Sequence, residues 1–484
     1  MLYQFRRDFY YKLEDFILNN NRQNVLFLLG PRKCGKTVAL RQLESNIPSK
    51  TMRYINFKSI SRTEKLDYIS DVLDSIRDDE DVCYLLDEVT YMLLPPEEIN
   101  AIAGEFSKYI NHRTKIILSG SQLIAVDSWG RRAFCNNALY LSVDFLSYKE
   151  WVSWRDISEI NKDTFMKFCL DTFNFYDSFT TIEEYLKGCI DETIQSNSKC
   201  SEFYQELECD SVDSQFLTDL TYLLLSKLHN NTSYKNLSVG NNFTDRLIFI
   251  YKTHYKNCFN SIQDLETKIN SSIISAYNNV MCTDINKIRQ SLLFLLKIGF
   301  ITGTNVTDDI SKRSDVISFL KGKDSRIEKI NDISDKFNFT INYPMFYCEI
   351  LKEIFGTDID TVDGSTLGSV TEMYLRGLLS DNAIELRVNN DKEIDYIDVR
   401  NSVVIEFTTS NKKLSDVNLS LMDDYYLKIL LTKDKCGKVE GGIVRIPFAE
   451  FIYNLANGMC IKDIYKNYKD KSCTPKLDEL LSNV

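Results

Sequence analysis

The chain has 484 residues, 44% of them hydrophobic and 26% charged, with a formal net charge of −11. That composition is ordinary for a globular protein and supplies cores for roughly two to four domains. The negative balance excludes indiscriminate nucleic-acid binding through overall charge. No apolar run reaches the length of a membrane span either, since Leu292–Ile301 is short and broken by Lys297.

The N-terminal residues, Met1 to Asp8, lack the apolar centre of a signal peptide. Thirteen cysteines show no paired C-x-x-C spacing. Their odd number fits reduced thiols, and a cytoplasmic location is the expectation. His112, His229 and His254 lie far apart in sequence and suggest no metal cluster.

Residues 1–21 alternate aromatic and charged side chains at helical spacing, which predicts an amphipathic helix. Strand patterns follow at 24–29, 52–57, 82–87, 115–120 and 139–143, with helical patterns between them. Such alternation predicts a parallel sheet covered on both faces, an α/β fold.

The first strand runs directly into Gly30, Pro31, Arg32, Lys33, Cys34, Gly35, Lys36 and Thr37, after which a helix opens. Gly-x-x-x-x-Gly-Lys-Thr in that setting is a phosphate-cradling loop. Its glycines let the backbone curl and aim successive N–H groups at phosphate oxygens. The helix adds its positive N-terminal end. ATP and Mg²⁺ are therefore the expected ligands, with Lys36 reaching the β- and γ-phosphates and the Thr37 hydroxyl on the metal.

The third strand ends in Asp87-Glu88. An acidic pair there, taken alone, is a solvated turn. Paired with the loop, it predicts Asp87 as a Mg²⁺ ligand opposite Thr37 and Glu88 as the base that polarises the attacking water. The fourth strand ends in Ser119-Gly-Ser121, at the edge of a parallel sheet where ligands sit. Ser121 is the candidate to hold the γ-phosphate or the water. In Gly130-Arg131-Arg132, Arg131 is the candidate to neutralise transition-state charge, from this chain or from a neighbouring copy, although surface arginines give the same pattern.

The segment Leu146-Ser-Tyr-Lys-Glu-Trp151 closes a nucleotide domain over 1–151. Residues 152–344 read as a helical region. Within it, a Leu-rich helical face from Asp284 and the turn after Ile298 suggest a winged helix over about 284–304. The stretch from Ser311 to Ile330 is rich in Lys and Arg and reads as solvated surface. Residues 345–484 form a third unit of α+β style. It opens with an amphipathic helix from Leu367, followed by strand-like runs at Ile384–Val388, Lys392–Val399, Val403–Thr409, Tyr426–Thr432 and Gly442–Ile446.

Taken together, the chain resembles a prokaryotic family of ATPases that joins an AAA-type domain to a C-terminal domain of the DUF4143 type, with a restriction-endonuclease-like fold. The N-terminal resemblance rests on Gly30–Thr37, Leu85-Leu-Asp-Glu88, Leu118-Ser-Gly-Ser121, Gly130-Arg131 and Leu146–Glu150. The C-terminal resemblance rests on Gly368-x-x-x-Glu372, Glu393-Ile-Asp395-Tyr and Ile405-Glu406-Phe-Thr408. It implies a second metal site at Glu372, Asp395 and Glu406. Active nucleases of that fold carry a lysine two residues past the last acid, where this chain has Thr408, so the resemblance implies a degenerate, binding domain. Three readings stand open: an ATPase that couples nucleotide state to a protein or DNA partner, a nucleotide switch without turnover, and an ATP-licensed DNA nuclease. The AAA resemblance also implies that an oligomer is possible.

Overall fold

Three runs in the N-terminal region are apolar nearly end to end: β1 (Val25–Leu29), β3 (Val82–Asp87) and β4 (Lys115–Gly120), with every residue of them buried. The less apolar β2 (Thr51–Asn56) and β5 (Ala138–Ser142) are half exposed. These five strands form one sheet in the order β2-β3-β4-β1-β5, all parallel. Strands buried on both faces belong in the centre of such a sheet, and alternating ones at its edges.

The structure, a computed structural model, describes residues 5–19, 23–47, 49–92, 113–121, 138–175, 181–197, 212–225, 283–305, 337–341, 384–387, 393–398, 402–408, 426–438 and 440–469, with single positions among the remainder. Helix α1 (Asp8–Asn19) precedes the sheet, within the span the sequence predicts. Helices α2 (Lys36–Asn46) and α3 (Arg62–Arg77) are the crossovers that return the chain for the next parallel strand. Ser61 and Glu64 close a capping box that starts α3. Phe27, Tyr84, Leu86, Ile116, Leu118 and Phe134 pack into the core, with Phe27 stacked on Tyr140 at 5.2 Å. Burying a side chain of this size stabilises the fold by about 1.5–3 kcal/mol. The five strands lie within a residue of their predicted positions. Parallel direction brings every strand's C-terminal end to one edge, and with it residues 30–37, 87–88 and 121.

Further along come α4 (Tyr148–Arg155), α5 (Lys162–Phe175), α6 (Ile182–Asn197), α7 (Ser214–Leu225) and α8 (Ile285–Lys297). The chain divides into two compact units, one of residues 1–150, 178–217 and 290–299, the other of 151–177, 218–289 and 300–484. Helix α6 therefore belongs to the same unit as the parallel sheet.

In the second unit, β6 (Ile301–Asn305) pairs antiparallel with β7 (Phe337–Ile341). The helix and strand expected over 284–304 are present, but the strand's partner comes from 337–341 rather than from the next few residues. The basic stretch 311–330 lies outside the described residues. Strands β8 (Ile384–Arg387), β9 (Glu393–Asp398), β10 (Val403–Thr408), β11 (Leu427–Thr432), β12 (Gly437–Lys438) and β13 (Val444–Pro447) form a six-stranded sheet in the order β12-β13-β11-β10-β9-β8. Strands β8, β9 and β10 run as an antiparallel meander, and β11 and β13 then lie parallel to β10. Helices α9 (Phe448–Ala456) and α10 (Ile461–Lys469) follow. Phe165 of α5 meets Phe448 at 5.4 Å and Tyr374 at 5.7 Å, an aromatic anchor within this unit.

Among the described residues no helix is long and apolar enough to cross a membrane. Cys34, Cys83, Cys169, Cys189 and Cys460 are free thiols.

Arg7 ties the start of the first unit to Glu150, the last residue of that unit's N-terminal segment. Its guanidinium binds Glu150 at 2.7 and 3.1 Å and donates to the carbonyls of Cys34, Asp144 and Phe145. Glu150 also accepts from the backbone N–H groups of Asp8 and Ser147. Burial alone would raise the Glu150 carboxyl, but Arg7 and these donors outweigh it and hold the group below its ordinary 4.5. Both side chains are nearly buried, so removing one strands the other. Glu150→Gln should cost about 3 kcal/mol, read as a shift of the urea midpoint at neutral pH. Because the folded value is the lower one, the stabilisation is complete above the unfolded value and fades as pH falls through the folded one. The gap between wild type and Glu150→Gln should therefore shrink on acidification. A gap independent of pH contradicts the assignment.

Candidate functional site

The loop between β1 and α2 has a backbone that few residues tolerate. Lys33 (φ +65°) and Gly35 (φ +96°) both adopt the left-handed region, which turns neighbouring N–H groups into one concavity. Gly30 is required for a different reason. A Cβ placed there would sit 2.6 Å from the Val143 carbonyl oxygen and 2.8 Å from Cys34 Sγ. Lys36 is buried at the first position of α2, and its ammonium donates to the carbonyls of Gly30 and Pro31, at 2.8 Å each. Arg7 holds the Cys34 carbonyl at 2.6 Å.

Asp87 ends β3 with no exposed surface. The Thr37 hydroxyl donates to its Oδ2 at 2.7 Å, the Tyr54 hydroxyl to the same atom at 2.8 Å, and the Glu88 N–H to Oδ1 at 3.1 Å. Thr37 itself is exposed on the loop side, while Asp87 behind it is not. Burial and the Asp87 charge both drive the Tyr54 hydroxyl towards its neutral form, which keeps it a donor. Arg41 covers the Tyr54 ring at 3.4 Å.

Glu88 follows with φ +54°, a strained conformation for a residue with a side chain. Burial first, and then the neighbouring Glu192 carboxylate, push its carboxyl up to about 7, against the pull of Lys36. A base poised there suits proton transfer at neutral pH. Ser121 stands between two acids, 3.2 Å from Glu88 Oε2 and hydrogen-bonded to Glu192 Oε1. Arg32 joins this group, with Nη1 3.3 Å from Glu192 Oε2 and hydrogen-bonded to the Gly188 carbonyl.

The structure thus brings together Gly30, Arg32, Gly35, Lys36, Thr37, Asp87, Glu88 and Ser121 at one sheet edge. Lys33 is an exposed member of the loop. Ser119 is buried, and its hydroxyl has no hydrogen-bond partner among the described residues. Arg131 is exposed, with its guanidinium 4.6 Å from the Tyr140 ring centre, while Arg132 lies outside the described residues.

In the second unit, Asp395 on β9 and Glu406 on β10 lie on adjacent antiparallel strands, each next to the pair Tyr396–Ile405. Glu372 lies outside the described residues, and so does the side chain of Asp395. Among the described residues no three His, Cys, Asp or Glu side chains gather as a metal site.

Glu192, Tyr54 and Arg7 escape the sequence reading. Glu192 and Gly188 stand four apart on α6 and so share a helix face, a glycine-and-acid pairing that is the one sequence signal for this contact. Tyr54 carries the weaker mark of a polar-tipped aromatic in an alternating strand.

A family model described as AAA domain matches residues 22–152. No curated protein matches the chain in sequence. Among solved structures, the Holliday junction branch migration motor RuvB of Thermotoga maritima is 13% identical, with a TM-score of 0.26, over 46% of this chain and 76% of that one. DnaA from Aquifex aeolicus bound to AMPPCP is 13% identical, with a TM-score of 0.27, over 58% of this chain and 90% of that one. A DNA replication initiation factor is 16% identical, with a TM-score of 0.26, over 62% and 95%. Scores this low add nothing to the fold, which rests on strand order, loop geometry and the family match. Residues 22–152 are an AAA-type, P-loop NTPase domain.

Crowding at Gly30 makes a direct check of the loop's packing. Gly30→Ala should lower stability by about 1–3 kcal/mol in urea titration, because the Val143 backbone must give way. An unchanged midpoint contradicts the close approach.

Proposed function

We propose that this chain is a Mg²⁺-dependent ATPase that couples nucleotide state to partner binding by its C-terminal unit. The observation that carries the reading is the Thr37–Asp87 hydrogen bond beside the Lys36 loop. A hydroxyl and a carboxylate 2.7 Å apart are hard oxygen donors of the kind Mg²⁺ takes, so the residues fit the metal. The bound ion would neutralise charge on the phosphate oxygens. Thr37 and Asp87 would hold it, and Tyr54 would keep the Asp87 carboxylate turned towards Thr37.

Gly30, Arg32, Lys33, Cys34 and Gly35 wrap the phosphates with backbone N–H groups, and Pro31, which has no N–H to give, fixes the turn between them. Lys36 exchanges the Gly30 and Pro31 carbonyls for phosphate oxygens, a short swing of one ammonium. Glu88 takes the proton of the attacking water, and Ser121 orients that water or the γ-phosphate. Arg131 is proposed as the charge-neutralising arginine, supplied to a neighbouring copy in an oligomer, and the protein is proposed to be cytoplasmic.

In the C-terminal unit, the meander β8–β9–β10 with a parallel β11 supports a restriction-endonuclease-like core of the DUF4143 type. Thr408 stands where a nuclease has lysine, so we favour binding of a protein or nucleic-acid partner over cleavage. Glu372, Asp395 and Glu406 remain its proposed metal-binding acids. The helix and strand over 284–304 support a winged-helix element.

Phosphate release tests the reading. Lys36→Ala should abolish Mg·ATP binding. Glu88→Gln should bind Mg·ATP like wild type and lose turnover by about 10²-fold or more. Equal rates in wild type and both variants would sink it. Tight binding with no turnover in wild type would instead favour the switch. Supercoiled plasmid incubated with the protein, Mg²⁺ and ATP should stay intact, and cleavage lost in Asp395→Ala would restore the nuclease reading.

A further inference from the structure

The hydrolytic reading leaves one buried acid of the site unused. Glu192 lies on α6, outside the matched AAA residues, and is 6% exposed. One of its oxygens accepts from Ser121, and the other meets Arg32. Arg32 in turn lies flat on the helix. Its guanidinium donates to the Gly188 carbonyl, and a Cβ at Gly188 would sit 3.0 Å from Arg32 Cζ.

Ser121 and Arg32 are the hydroxyl and the guanidinium that a terminal phosphate at this edge would use. Both are engaged by a side-chain anion. Glu192 also stands beside Glu88, with Ser121 hydrogen-bonded to both acids. A γ-phosphate and the Glu192 carboxylate ask for the same donors and repel each other. They cannot share them.

We propose that Glu192 is an internal anion that closes the γ-phosphate subsite, so that ATP, but not ADP, must displace α6 to bind. The inference rests on the nucleotide-site reading above and gives that site its regulation. Helix α6 becomes the element that reports whether a γ-phosphate is present. A ligand shifts such an equilibrium only through its differential affinity for the two states, and here the γ-phosphate supplies the difference. An acid that merely fastened α6 to its unit would treat the two nucleotides alike.

The test compares Mg·ATP and Mg·ADP affinities in the full chain by fluorescence titration, for wild type, Glu192→Ala and Gly188→Ala. Removing the carboxylate should tighten ATP by about tenfold and change ADP by less than about twofold. Gly188→Ala crowds the Arg32 guanidinium against Glu192 by a few tenths of an ångström and should shift ATP in the same direction, by less. Amide exchange of the wild-type chain gives a reading that needs no variant. Exchange in residues 182–197 should rise with ATP and not with ADP, and it decides the matter should Glu192→Ala fail to fold. An unchanged ratio of ATP to ADP affinity, weaker ATP binding in Glu192→Ala, or identical exchange with both nucleotides overturns the proposal while leaving the nucleotide site intact. Absence of binding by wild type and by both folded variants removes the nucleotide reading itself, and this one with it.

Discussion

A carboxylate with no exposure to water is costly unless donors surround it, and Asp87 is surrounded. Its hydrogen bonds come from Thr37 on α2, Tyr54 on β2 and the backbone that follows β3. Each donor reaches Asp87 only because the strands are in phase, with Asn56 beside Asp87 and Ile55 beside Leu86. A slip of one residue in β3 would turn the carboxylate to the opposite face of the sheet and leave Thr37 without it. The loop, the crossover helix and the sheet are thus fixed relative to one another by one buried acid.

Around that acid the edge of the sheet is crowded with charge. Lys36, Arg32, Glu88 and Glu192 lie together with little water to screen them. Groups so placed are poor sources of net stability, because each has given up its hydration. What they supply is alternatives. The Lys36 ammonium is satisfied by loop carbonyls, and Ser121 can face either acid. Arg32 is shared between Glu192 and a helix carbonyl. Under the proposed function, each of these donors gives up its present acceptor for a phosphate oxygen on loading.

The sheet was readable because burial leaves a simple mark. Val25–Leu29 and Ile116–Leu118 are apolar on both faces, and runs of that kind alternating with helical patterns are the mark of a covered parallel sheet. The loop and the Asp87–Glu88 pair were readable because phosphate chemistry demands particular residues at a particular spacing. Glu192 was hidden by its position, in a helical stretch that sequence alone separates from the nucleotide domain but that packs in the same unit. Arg7 was hidden because its partner, Glu150, lies at the other end of the domain, and no local pattern records a contact of that range. In the C-terminal unit the strands were legible, and the resemblance named Asp395 and Glu406, but only the sheet shows that they stand on neighbouring antiparallel strands.

The central claim is that Thr37, Asp87 and the loop at 30–37 form a site for a metal-bound triphosphate. Calorimetric titration of the wild-type chain with ATP, in the presence of Mg²⁺ and again with the cation chelated, addresses it without any substitution. The account predicts saturable binding of a single equivalent that weakens sharply when Mg²⁺ is removed. Heat that is absent under both conditions, or a binding curve indifferent to the cation, would contradict it.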